Sequence, residues 1–172
     1  MDLTRHFCTN LLDLQQSLVD VLDHMTAAKD RTPTEQDAFD QDQYEILHTK
    51  VEDATIYTNR ALATGGLVAA ALAARAEVGP LNQNQRRWVI GQAIDSRKDA
   101  NEATWAVRDA MLYVYRMCRV LDVDLGADWE ILKTILRSLE DFESKLTTHQ
   151  VLLNELQEAQ NNNLTGTLRG PR

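Results

Sequence analysis

The sequence predicts an all-α fold: an antiparallel four-helix bundle with long, coiled-coil-like helices and an extended middle hairpin. Three observations carry this. Apolar residues recur in alternating steps of four and three along four separate stretches, the spacing that gathers side chains on one helical face. Proline stands only at 33, 80 and 171, so the strongest helix breakers fall between or beyond those stretches. No segment alternates apolar and polar residues as a half-buried strand does, and hairpin turn pairs are missing.

The first stretch runs from about Leu3 to Lys29, with the stripe Phe7, Leu11, Leu14, Leu18, Val21, Met25 and Ala28. The second opens at Thr32-Pro33-Thr34-Glu35. Here Thr32 can cap, Pro33 suits the first helical position, and Glu35 can complete a capping box. Its stripe is Tyr44, Leu47, Val51, Ala54, Thr58, Ala61, Gly65, Val68 and Leu72. Gly65-Gly66 costs about 2 kcal/mol against two alanines, so this pair either breaks the helix or admits another backbone closely. Gly79-Pro80 ends the segment.

Asn82 and Gln85 read as the cap of the third helix. Its stripe is Val89, Ala93, Ser96, Ala100, Ala103, Val107, Ala110, Val114, Met117 and Leu121, and the turn Asp122-Val123-Asp124-Leu125-Gly126 follows. The fourth helix starts near Asp128 and shows Leu132, Ile135, Leu139, Phe142, Leu146, His149, Leu153 and Leu156. Asn161-Asn162-Asn163 is expected to stop it. Residues 1–163 therefore read as one helical domain, and 164–172 as a flexible tail. Short connections favour antiparallel neighbours.

Composition narrows the function classes. The chain is 44% hydrophobic and 26% charged over 172 residues, enough for a single self-sufficient core and unlike a disordered chain. A net charge of -8 argues against a generic nucleic-acid coat and against binding to anionic membranes. The third helix is the most basic, but Asp95, Asp99, Glu102 and Asp109 interrupt its arginines, so a nucleic-acid groove is not favoured. The apolar run from Ala61 to Ala74 falls short of the roughly 20 residues that span a bilayer. Cys8 and Cys118 lack metal-ligand spacing and imply no disulfide framework, and the N-terminus shows no signal-peptide pattern. Both fit the cytoplasm or another reducing compartment.

At 1.5 Å per residue the first helix would be about 40 Å long and the second about 70 Å if unbroken. The middle hairpin is therefore expected to outreach the first helix and leave an apolar tip. The residues expected to form an interface there are Leu62, Gly65, Gly66, Val68, Leu72, Trp88 and Ile90.

Candidates for chemistry are sparse. Glu45 and His48 have the spacing found in di-iron bundles, but no second Glu-x-x-His exists, and Asp20 with His24 is the nearest substitute. His149 interrupts an apolar stripe, the place of a hydrogen-bonded core histidine or a pH-sensitive element. Phosphate loops, nucleophile elbows and paired zinc ligands are missing from the sequence.

One stretch carries a family likeness. Arg108-Asp109-Ala110-Met111-Leu112-Tyr113-Val114-Tyr115, continuing through Leu121-Asp122-Val123-Asp124-Leu125, resembles the third helix and following turn of MazG-like nucleotide pyrophosphohydrolases. The resemblance implies magnesium held by an acidic helix pair and hydrolysis of a nucleoside triphosphate to monophosphate and pyrophosphate. Glu52, Asp53 and Asp109 would be its metal ligands. Ala106, Thr55 and Ile56 stand where the family's remaining carboxylates belong, so the set is incomplete. The expectation drawn from the whole chain is a non-catalytic helical interaction or assembly protein without a cofactor. It would associate with itself or with another helical protein through the hairpin tip. The alternative is the magnesium-dependent hydrolase, in degenerate form.

Overall fold

The computed structural model describes residues 2–30, 41–120 and 126–168. It contains four α-helices: α1 (Leu3–Asp30), α2 (Gln41–Val78), α3 (Gln83–Val120) and α4 (Gly126–Leu168). Each packs on its two chain neighbours, and α1 closes the ring against α4. Cross-helix bonds give the directions. Asn10 meets Lys145 while Ser17 meets Asp141 and His24 meets Ser138, so numbering rises on α1 as it falls on α4. Arg97 with Asn154, Arg108 with Glu143 and Tyr115 with Glu140 set α3 against α4 in the same sense. The bundle is therefore up-down-up-down.

The stripes read from the sequence are the buried faces. All nine expected positions of α2 are buried, and so are all eight of α4. On α1 only Leu11 is half-exposed, and on α3 Met117 is half-buried near the end of the helix. The Asn82–Gln85 cap is present as a reciprocal box. Asn82 N–H donates to Gln85 Oε1 (2.8 Å) and Gln85 N–H donates to Asn82 Oδ1 (2.9 Å). Gly79, at φ +98°, closes α2 by donating its N–H to Arg75 O (3.1 Å), a left-handed cap that glycine adopts without strain. Asp2 caps α1 through Thr4 N–H (3.1 Å). The Thr32–Glu35 capping box and the turn at 121–125 lie outside the described residues.

Of the two readings open for Gly65-Gly66, the break does not occur: α2 is one 38-residue helix, packed against both α1 and α3. One expectation is corrected. Asn161–Asn163 do not stop α4, which has 43 residues and runs to Leu168. At 1.5 Å per residue α4 is about 65 Å long, against about 57 Å for α2 and α3. It therefore covers the hairpin tip. Val68, Leu72, Val89 and Ala93 form a closed cluster with Leu152, Leu153 and Leu156 of α4 and Phe7 of α1. A second, larger cluster fills the other end, around Leu14, Leu47, Val107 and Leu139.

Among the described residues no helix is long and apolar enough to cross a membrane. Both cysteines are free thiols.

Candidate functional site

The two apolar clusters are separated by a polar layer to which every helix contributes. Asn10 comes from α1, Ala61 and Gly65 from α2, Ser96 from α3 and His149 from α4. Asn10, Gly65, Ser96 and His149 are all buried. His149 is the hub. Its Nε2 lies 3.0 Å from Ser96 Oγ, and its Nδ1 lies 3.2 Å from Asn10 Oδ1. Ser96 Oγ also lies 2.7 Å from Ala61 O, and Asn10 Nδ2 donates to Lys145 O at 3.4 Å. Phe7 stacks on the imidazole with ring centroids 5.5 Å apart.

The bonds assign the proton. Asn10 donates its amide nitrogen to the Lys145 carbonyl and turns its oxygen toward Nδ1, the arrangement that suits a hydrogen on Nδ1. The Ser96 hydroxyl donates to Ala61 O, and its oxygen lies beside Nε2. Burial opposes charging the ring and holds the His149 pKa down to about 4. The imidazole is therefore neutral near pH 7.

Gly65 makes the layer fit. A Cβ there would lie 3.0 Å from Leu11 Cδ2, 3.2 Å from His149 Cε1 and 3.4 Å from Ser96 Oγ. What approaches Gly65 closely is side chains of α1, α3 and α4 rather than another backbone. Gly66 meets nothing within 4 Å and faces outward. Gly65→Val is expected to destabilise the bundle by about 1–3 kcal/mol through overpacking. Gly66→Val should leave the midpoint of urea unfolding nearly unchanged or raised. Equal midpoints for the two variants would refute the packing role.

The order hydroxyl, imidazole, amide oxygen is that of a nucleophile, its base and an orienting group. Here it lies in a closed core. Ser96 and His149 are 0% exposed and Asn10 is 5% exposed, so a substrate has no approach to Ser96 Oγ. The layer's hydrogen bonds join α1, α2, α3 and α4 at one level of the bundle. The sequence showed His149, Ser96 and Gly65 as breaks in apolar stripes. It gave no sign of Asn10, which lies off the α1 stripe and became a partner only through the antiparallel register.

The remaining sequence candidates do not converge. Glu52 is exposed and pairs with His48 at 3.2 Å, Asp53 is exposed, and Asp109 accepts from Lys50 Nζ at 2.7 Å. Among the described residues no three His, Cys, Asp or Glu side chains are grouped to hold a metal ion. Glu52, Asp53 and Asp109 therefore do not fit a magnesium site, since a lysine ammonium occupies the aspartate and the other two face water. His24 bonds Ser138 across α1 and α4, and His48 pairs with Glu52 on its own helix. Burial raises the Cys118 thiol pKa, which disfavours the nucleophilic thiolate.

Of the expected interface residues, Gly65, Val68 and Leu72 are buried within the chain's own core, because α4 extends over them. Leu62 and Ile90 are half-buried, while Gly66 and Trp88 are exposed. Leu62 and Gly66 line an open groove between α1 and α2 of about 420 Å³, shared with Leu11, Leu12, Ala63 and the polar Gln15 and Asn59. Leu12 and Val19 of α1 and Ile56 of α2 are exposed apolar side chains on the same two helices.

These features define a four-helix bundle divided by a histidine-centred polar layer, with an apolar groove on its α1–α2 face. The chain matches no protein-family model, no curated protein sequence and no solved structure.

Proposed function

We propose that this chain is a non-catalytic helical interaction protein that self-associates. The observation that supports this most is the set of large apolar side chains left outside the core. Leu12, 68% exposed, lines a groove that α1 and α2 do not fill, and Val19 and Ile56, each more than two-fifths exposed, stand on the same two helices. Scattered exposed leucines need no explanation, but exposed apolar side chains on the two helices of an open, largely apolar groove suit a contact surface.

The association surface proposed from the sequence was the hairpin tip. Leu62 and Gly66 keep a place in the present proposal, as groove residues rather than as part of a tip. The measurement is absolute mass by light scattering across a concentration series. A defined oligomer, or a mass that grows with concentration, is expected. A strict monomer at every concentration would sink self-association.

A further inference from the structure

We infer that the first turns of α1, residues 3–11, form a lid over His149 that opens when the imidazole takes up a second ring proton. This stands apart from the self-association reading, because it concerns a single copy of the chain and holds whether or not that copy associates.

The lid is thin. Of residues 3–11 only Phe7 and Asn10 are buried, and both lie on His149. Phe7 stacks on the imidazole, and Asn10 Oδ1 meets Nδ1. Among the described residues, the two contacts of Asn10 are the only side-chain hydrogen bonds from these turns to another helix, and the one to Lys145 O is long, at 3.4 Å. Helix α1 ends about two turns beyond the level of His149, whereas α2, α3 and α4 run on for more than three. Val68, Leu72, Val89, Leu153 and Leu156 anchor those longer continuations. A helix end held by two buried side chains is where a bundle opens locally at the lowest cost.

The closed site gives a charged ring nothing to face. Its nitrogens meet Asn10 Oδ1 and Ser96 Oγ, and its Cε1 lies toward Gly65. A second proton would stand on Nε2 against the Ser96 hydroxyl, in a side chain that is 0% exposed. No charged or titratable group near this level bonds the imidazole. On α1, Arg5, His6 and Asp13 are exposed and Cys8 is half-buried. On α2, Arg60 is exposed. On α3, Asp95 is exposed, Asp99 is half-buried, and Arg97 donates to Asn154. On α4, Lys145 enters the layer through its carbonyl and not its ammonium. Lifting Phe7 and Asn10 brings water to the ring, so the open state is the one that accepts the proton.

The sign follows from linkage. Burial holds the closed-state pKa of His149 down to about 4, against 6.5 for the free side chain. Above about pH 6.5 neither state takes the second proton, and the lid stays shut. As the pH falls from there toward 4 only the open state takes it, and opening is favoured. Opening uncovers the place that Phe7 fills in the smaller apolar cluster.

Hydrogen exchange of the full chain by mass spectrometry, at pH 7.5 and 5 and corrected for intrinsic rates, tests this. The open fraction of residues 3–11 should rise roughly thirtyfold between the two, one proton being bound. Amides of α2, α3 and α4 at the same level should keep their protection. His149→Gln should remove the pH dependence of lid opening, and His6→Gln, on the exposed side of the lid, should keep it. Asn10→Asp sets a carboxylate against Nδ1, so its lid should open no more at pH 5 than at pH 7.5. Should a variant lose helicity, the imidazole resonances of His149 in the parent chain replace it, and they should titrate in step with opening. Opening that spreads equally over all four helices at pH 5 overturns the lid and shows a global loss of stability. Opening that does not change with pH also overturns it, as does a pH dependence that survives His149→Gln intact.

Discussion

Leu139→Asp is expected to unfold the bundle. Leu139 is 0% exposed and sits in the larger apolar cluster, with Leu14, Leu47 and Val107 contributed by the other three helices. A carboxylate there would be charged without a partner, or protonated at a high cost in pKa, and the loss is on the order of 4 kcal/mol or more. A domain of this size holds about 5–15 kcal/mol in total. At about 2–4 °C per kcal/mol, the Tm should fall by roughly 10 °C, or the helicity should be lost at room temperature. Leu12→Asp, on the exposed outer face of α1, should shift Tm little. Matching the parent's melting curve with Leu139→Asp would show that the stripe is not the core. Val68→Asp belongs with Leu139→Asp and not with the surface changes, because Val68 is 0% exposed beneath α4.

Acid should weaken the bundle through His149. Its folded-state pKa is about 4, against 6.5 for the free side chain. Between those values the unfolded chain binds a proton that the folded chain refuses, so stability rises with pH across that window. The contribution is fully present above about pH 6.5 and is lost as the pH falls toward 4. It amounts to about 3 kcal/mol at 1.36 kcal/mol per unit. The cause is desolvation: the ring lies between two apolar clusters, and the groups that meet its nitrogens are an amide and a hydroxyl rather than a carboxylate. Urea unfolding at intervals from pH 7.5 to 4 measures the slope. His149→Gln, which keeps hydrogen-bonding capacity and cannot titrate there, should be less stable at pH 7 yet flatter across the window. Parallel curves for the two proteins would assign the acid sensitivity to other groups.

Much of the fold was legible in the residues themselves. The alternation of four and three marks a helical face whatever the helix packs against, so the stripes from Phe7 to Ala28 and from Leu132 to Leu156 are the buried faces. The Asn82–Gln85 box and the Gly79 stop are equally local, since each uses backbone groups within a few residues of its own side chain. Helix ends without such devices were harder. Three asparagines at 161–163 disfavour a helix only slightly, and the helix passed through them to Leu168. Gly65-Gly66 did not break α2, because Ala61, Gly65, Val68 and Leu72 on either side of and at the pair are buried against neighbouring helices.

The candidate site was legible only in part. His149, Ser96 and Gly65 announced themselves as irregular members of apolar stripes, yet each stripe describes one helix and carries no information about level along the bundle axis. The antiparallel register brought Asn10 to Nδ1 and Ser96 to Nε2 and made the three residues one layer. The same register paired Asp109 with Lys50 and left Glu52 with His48, dispersing the carboxylates that a family likeness had suggested as metal ligands. By itself, then, the sequence determined the helices and their inward faces, because periodicity and capping act within a few turns. Only the tertiary structure decided that α4 covers the hairpin tip, that four helices meet at one histidine, and that the open apolar surface lies between α1 and α2. Those outcomes depend on helix lengths and register, which contacts between distant residues set.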